Sequence, residues 1–195
     1  MKKIILSAAV LLLNTALFAQ TKWTADKVHS TVKFSVSHLV ISEVEGQFKN
    51  FEGMIASKSA DFNNSAITFN IDVKSIDTEN SDRDKHLLGP DFFDADKYPQ
   101  MAFKSTSFKK LSGNKYLLTG NLTLHGVTKP VKFNVTYGGT AKDGYGNTKA
   151  GFKASTVINR FDYNLKWNAL TEAGGATVGK DVTIELKLEF AQQKS

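Results

Sequence analysis

Four histidines, two arginines and a run of acids are the residues of this chain whose types could do chemistry. His29, His38, His86 and His125 could act as bases or metal ligands. No two are close enough for a short motif such as His-x-x-x-His, so a metal site would have to be gathered from distant segments. His29 and Ser30 are adjacent, and neighbours in a strand point to opposite faces, so adjacency does not make them a base and a nucleophile. There is no Gly-x-Ser-x-Gly elbow. There is no cysteine, which removes thiol catalysis and thiolate-bound metals. Asp82, Asp84, Asp91, Asp94 and Asp96 depart from the Asp-x-Asp-x-Asp-Gly calcium loop, and helix capping or solvation accounts for them. The sequence therefore assigns no catalytic residue, no metal and no cofactor. Arg83 and Arg160 each have acidic neighbours, Asp82 and Asp84 for one and Asp162 for the other. A guanidinium fork grips carboxylates in pairs. Each arginine is expected either to pin its segment to the fold, the better account, or, with His38, to meet the polar head of a ligand.

The elements that must carry these residues are strands. Val182, Ile184, Leu186, Leu188 and Phe190 alternate with Thr183, Glu185, Lys187 and Glu189. The same period of two runs through Ile67–Val73, Val131–Tyr137 and Val32–Val36, and it gives each strand one wet and one dry face. Eight strands are expected, near 23–38, 44–57, 65–76, 101–110, 115–125, 129–139, 147–159 and 177–191. Gly- and Asn-rich turns separate several of them, which favours up-and-down neighbours. Two stretches break the pattern. Residues 80–98 read as a short helix and a loop, capped by Ser81 or Asp82 and stopped by Gly89-Pro90. Residues 160–175 read as irregular, with Leu165, Trp167 and Leu170 as apolar points.

Eight antiparallel strands with one dry face make a sandwich or a closed barrel, and an eight-stranded barrel is either filled by side chains or holds one small ligand. Strands of about 12 residues at about 3.3 Å per residue, tilted by about 40°, enclose an axis of roughly 30 Å. The dry face is aromatic: Phe34, Phe69, Phe103, Phe133 and Phe152 fall at mid-strand on inward parity. Alternation alone leaves this face as either a packed core or a pocket. If it is a pocket, Phe34, Val36, Phe69, Ile71, Phe103, Leu122, Phe133 and Phe152 are the expected lining.

The amino end reads as an export signal: Met1-Lys2-Lys3, an apolar run from Ile4 to Phe18, then Ala19-Gln20. Cleavage is placed after Ala19, leaving residues 20–195 as one domain, periplasmic or secreted, with no transmembrane span. The formal charge of +6 falls to +4 without Lys2 and Lys3. Nearly all basic residues are lysines that alternate with apolar residues along strands. That is a solvated outer face rather than the arginine-rich stripe of a nucleic-acid reader, and it leaves room for attraction to an anionic membrane surface.

Ordered motifs run from Trp23 to Phe190. They are Asp26-x-x-His29-Ser30, Val36-x-His38, Gly46-x-Phe48-x-x-Phe51-x-Gly53, Arg83-Asp84-x-His86-Leu87, Asp91-Phe92-Phe93-Asp94 and Tyr98-Pro99-x-Met101-x-Phe103-x-Ser105. Gly120 to Val131, Asn159-Arg160-x-Asp162-Tyr163 and Val178-Gly179-x-Asp181-Val182 complete them. In these pieces the chain resembles the YceI-like family of exported, lipocalin-like barrels associated with polyisoprenoid or other lipid binding. It departs from the family at Asn164, where glycine is usual, which puts the local turn geometry in question. The resemblance implies an extended eight-stranded antiparallel barrel with an apolar tunnel for a long isoprenoid, isoprenoid quinone-like or fatty-acyl chain. It implies no catalytic residue. The expectation is a non-enzymatic carrier with a lipid partner, open to homodimerisation or to a membrane partner. The alternative is a lipid- or isoprenoid-modifying enzyme with its site at the barrel mouth.

Overall fold

The alternating segments close into one antiparallel sheet. The structure, a computed structural model, describes residues 20–169 and 177–194. The segment read as an export signal, and Leu170 in the second irregular stretch, lie outside them. The strands are β1 (Thr21–Ala25), β2 (Thr31–His38), β3 (Ser42–Phe48), β4 (Phe51–Ser57), β5 (Ala66–Asp72) and β6 (Ile76–Asp77). A helix, α1 (Ser81–Leu88), separates these from β7 (Gln100–Ser112), β8 (Lys115–Leu124), β9 (Val127–Lys142), β10 (Thr148–Asn159) and β11 (Val178–Gln192).

The expected eight strands are the eight staves of a closed barrel, but three of them are broken. Residues 23–38 divide into β1 and β2, 44–57 into β3 and β4, and 65–76 into β5 and β6 around a 3-10 turn at Val73–Ser75. The halves stay aligned, because β1 pairs with β4 while β2 pairs with β3, and β4 pairs with β5 while β3 pairs with β6. From β5 the order runs β7, β8, β9, β10, β11. The barrel closes where β11 meets β2, from Val182↔Val36 to Lys187↔Thr31, and β1, from Phe190↔Ala25 to Gln192↔Trp23.

A closing sheet must bend its staves, and an interruption in the ladder is how a strand bends. At the first break the Ser30 hydroxyl takes over the ladder's hydrogen bonds: it accepts from the Glu189 N–H at 2.9 Å and donates to the Glu189 carbonyl at 3.3 Å. At the second, Lys49 N–H donates to Ser75 O and Asp72 N–H donates to Asn50 O, both at 3.0 Å. Each break also switches the inward set: Trp23 and Ala25 face in before the first and Val32 and Phe34 after it, and Phe48 faces in before the second and Phe51 and Ile55 after it.

The topology sorts the connections to two ends. Residues 58–65, 113–114 and 143–147 lie at the foot. The β2–β3 turn, the 78–99 segment with α1, His125-Gly126 and residues 160–169 lie at the mouth. In α1 the cap is Asn80, not Ser81 or Asp82: its side chain accepts from Asp82 N–H and Arg83 N–H. Gly89 ends the helix as expected. The second irregular segment opens with a 3-10 turn, Arg160–Tyr163, and Asn164 follows it at φ 61°. That left-handed backbone is the one glycine adopts freely and asparagine tolerates best among other residues, so the turn survives the family's usual glycine being absent. No helix among the described residues is long and apolar enough to cross a membrane.

Candidate ligand-binding interior

The inward parity of every stave converges on one cavity of about 130 Å³. Of the 23 residues that border it, 22 are apolar and eight of these are phenylalanines; the other, Lys33, is exposed on the outward face between Val32 and Phe34. Of the expected lining, Phe34, Phe69, Ile71, Phe103, Leu122, Phe133 and Phe152 are on the wall. Val36 is not. It shares parity with Val32 and Phe34 and sits two residues from the end of β2, between Val44 and Val182. Phe48, Ile55, Met101, Phe108, Leu124, Leu186 and Phe190 also line the cavity, all on inward parity.

Glycines shape this wall. Phe69 pairs in register with Gly53, Phe34 with Gly46, and the ring of Phe103 lies over Gly120. A Cβ at any of the three would collide with its ring. The rings therefore lie against the backbone of the neighbouring stave, which a side chain at these positions would prevent.

The foot is closed by Phe62, which is 1% exposed although it belongs to the β4–β5 loop. Its ring packs on Trp23 at 5.1 Å, Tyr137 at 5.5 Å and Phe152 at 5.2 Å. No strand pattern marks this residue, and the sequence reading misses it. The mouth is spanned differently. The 78–99 and 160–177 segments join staves on opposite sides of the ring. They meet where Trp167 touches His86 at 5.1 Å and Phe92 at 5.0 Å. Beneath this clasp Leu87, Leu88 and Phe93 pack on the core, and Phe93 meets Phe48 at 6.0 Å.

The two arginines build this mouth, but not through carboxylates. Arg83 donates from Nε to Thr78 Oγ1 at 2.8 Å and from Nη2 to the Thr78 carbonyl at 2.6 Å. Arg160 is buried and donates to the carbonyls of Gly179, Leu165, Trp167 and Val178. The expected pairing with Asp82, Asp84 and Asp162 is absent among their hydrogen bonds, because each guanidinium satisfies carbonyls that irregular backbone leaves without a ladder partner. Burial alone pulls the Arg160 pKa down. Burial, and secondarily Asp162, pushes the Tyr163 phenol up to about 12, so it stays protonated. His38 ends β2 opposite Ser42 and Val178.

The histidines occupy separate surroundings. His86 reaches Asp91 at 3.3 Å. His125 packs on Tyr98 and its Nδ1 meets the Tyr163 carbonyl at 3.1 Å. His29 lies at the first stave break with Asp26 and Glu189, the one three-residue group among the described residues whose ligand atoms lie within 4.8 Å of one another. Lys149 Nζ already sits on both carboxylates, 2.7 Å from Asp26 and 3.2 Å from Glu189. The ammonium supplies the positive charge a metal would bring, so the group is an ion-pair knot. Hydrogen bonds from Lys149 and then His29 hold Asp26 far below the usual carboxylate range, and Asp26 in turn raises Lys149.

A profile of the YceI-like domain matches residues 23–190. The chain belongs to the YceI-like family. A UPF0312 protein of Pseudomonas putida is 36% identical over 189 residues, covering 97% of this chain and 95% of that protein. Among solved structures, Burkholderia cenocepacia BcnA superposes with a TM-score of 0.71 at 28% identity, over 85% of this chain and 98% of its own. A polyisoprenoid binding domain from Saccharophagus degradans, described as implicated in plant cell wall breakdown, gives 0.66 at 16% identity, over 88% and 98%; at that identity it shows the shared YceI-like barrel alone.

Proposed function

We propose that this YceI-like protein is an exported binding protein that carries a long apolar molecule, an isoprenoid, isoprenoid quinone-like or fatty-acyl chain, inside its barrel. The observation that carries the reading is the closed wall of 22 apolar residues around one cavity. Burying a chain there gains about 25 cal/mol per Å² of apolar surface before ordering costs. The Saccharophagus neighbour's polyisoprenoid binding supports the ligand class, and the basic-then-apolar start of the chain supports export. An apolar cavity of roughly 150 Å³ takes a benzene-sized guest, so a long chain needs the phenyl rings along the wall to turn aside. The four separate histidine surroundings offer no base beside a nucleophile, and no observation favours a catalytic reading.

Native mass spectrometry and lipid extraction of protein purified without detergent test the reading. The expected result is a co-purifying lipid at near one per chain, on a polypeptide that begins at Gln20. A lipid-free protein that takes up no isoprenoid or acyl chain when offered it overturns the carrier function; retention of residues 1–19 in a cytoplasmic product overturns export.

A further inference from the structure

The β2–β3 turn is made from the wrong residues for its shape. Leu39 and Val40 have φ of 53° and 66°, and Ile41 N–H closes the turn on His38 O at 3.2 Å. Tight hairpin turns with consecutive positive φ draw asparagine, aspartate and glycine, and a β-branched residue there is strained. This turn is also exposed. Leu39 is 40%, Val40 80% and Ile41 87% accessible, so three successive large apolar side chains stand in solvent on a strained backbone. Neither folding nor solubility accounts for that choice, and local rules are broken in this way where a surface is used.

The occupant follows from size, charge and place. A three-residue turn offers a small fraction of the roughly 800 Å² per partner that a stable protein interface needs. It is convex, so it fills a soft medium rather than receiving a partner. From Phe34 to Ser42 there is no Asp, Glu, Lys or Arg, so sinking the tip desolvates no formal charge. The turn lies at the mouth, tied to the start of the last stave by Leu39 N–H donating to Thr177 O at 2.9 Å. Phe161, 38% exposed, stands on the same rim beyond β10.

We propose that the Leu39-Val40-Ile41 turn inserts into the interfacial layer of a lipid bilayer and sets the barrel mouth against it. Apolar groups buried about 5–10 Å into the headgroup and acyl boundary hold such contacts. The proposal rests on the carrier reading for its purpose, since a water-insoluble guest would pass between membrane and barrel without crossing solvent, but the contact itself is measurable without a guest.

The test is co-sedimentation with phosphatidylcholine vesicles, with and without phosphatidylglycerol, for the processed protein and two variants. The combined Leu39→Asn, Val40→Gly, Ile41→Ser variant is expected to unfold at the same or a higher temperature, because the turn strain is relieved. It should lose vesicle binding by at least about tenfold. Tyr145→Ser removes a 92% exposed aromatic at the foot and should leave binding unchanged. Binding through the turn should survive high salt, which weakens lysine-driven attraction. Equal binding by the parent and the triple variant overturns the proposal, as does binding that follows Tyr145 or vanishes in salt. A parent that self-associates through the turn and ignores vesicles also overturns it. Vesicle binding lost in the triple variant with no lipid ever found inside would leave the membrane contact standing and remove the carrier reading.

Discussion

Phe69 lies against the bare backbone of Gly53, where an added Cβ would come 2.6 Å from its ring. The pair sits on neighbouring staves in register, and Phe51 stacks on the same ring at 5.4 Å. Gly53→Ala should drive the Phe69 ring toward the axis. We expect a stability loss of about 1–3 kcal/mol, the usual cost of overpacking, together with reduced lipid per chain. Denaturant unfolding reads the first and extraction the second. Unchanged lipid content in a folded Gly53→Ala protein would mean that the ring does not border the bound chain.

Phe62 should behave as a structural floor. Phe62→Ala removes a ring in contact with Trp23, Tyr137 and Phe152, and truncating a buried phenylalanine costs about 3–5 kcal/mol. Urea titration should show it as a lower midpoint at an unchanged slope. The vacated space continues the cavity past Phe152, so the extracted lipids should shift toward longer chains.

The clasp at the mouth calls for a kinetic test. Trp167 is half-buried and bridges two segments with its ring alone, so Trp167→Ala should cost little stability, about 1 kcal/mol. It should speed the exchange of a bound fluorescent acyl chain several-fold. Equal exchange rates in the variant and the parent would show that guests pass elsewhere.

Acid should weaken the knot at the first stave break. Asp26 titrates below its ordinary 3.8 in the folded protein, so its stabilisation is fully present above that value and drains away as pH falls through the folded pKa. Lys149 titrates above its ordinary 10.5, so its share persists below that pH and is lost as pH rises past it. Stability at this site should be flat through neutral pH. Lys149→Met should lower stability by about 1–2 kcal/mol at pH 7 and flatten the fall between pH 5 and 2. Thermal midpoints across pH read both effects, and an unchanged acid limb would assign acid unfolding to other carboxylates.

How far the sequence reveals this molecule depends on whether a signal is local. The dry faces of Val182–Phe190 and Ile67–Ile71 repeat every second residue, so stave number and inward parity are legible. The breaks at residues 26–30 and 49–50, where the inward residues switch from odd to even numbers and back, are not, because the curvature that requires them belongs to the whole barrel. Phe62 carries no periodic mark; its burial comes from a loop folding under the foot, with φ at 60°. Asn80, Ser81 and Asp82 can all cap a helix, and only the path of the chain selects Asn80. The carbonyl partners of Arg83 and Arg160 are likewise set by irregular backbone, so nearby acids in the sequence suggest the wrong partners. Seven of the eight expected lining residues lie on the cavity wall because parity decides orientation, and Val36 shares that parity near the end of β2.

The seam between β11 and the β1–β2 stave has a consequence for how the molecule comes into being. Every other neighbouring pair of staves is consecutive in the chain, joined by a connection of 22 residues or fewer. The seam alone joins residues about 150 apart, as in Lys187↔Thr31. Local hairpins form early, and loop closure delays distant pairings. A chain emerging amino end first therefore holds an open, curling sheet with two raw edges until residues 178–192 arrive, and edges of that kind recruit other chains. The last stave is thus the step at which the protein stops being a hazard to its neighbours and becomes a container.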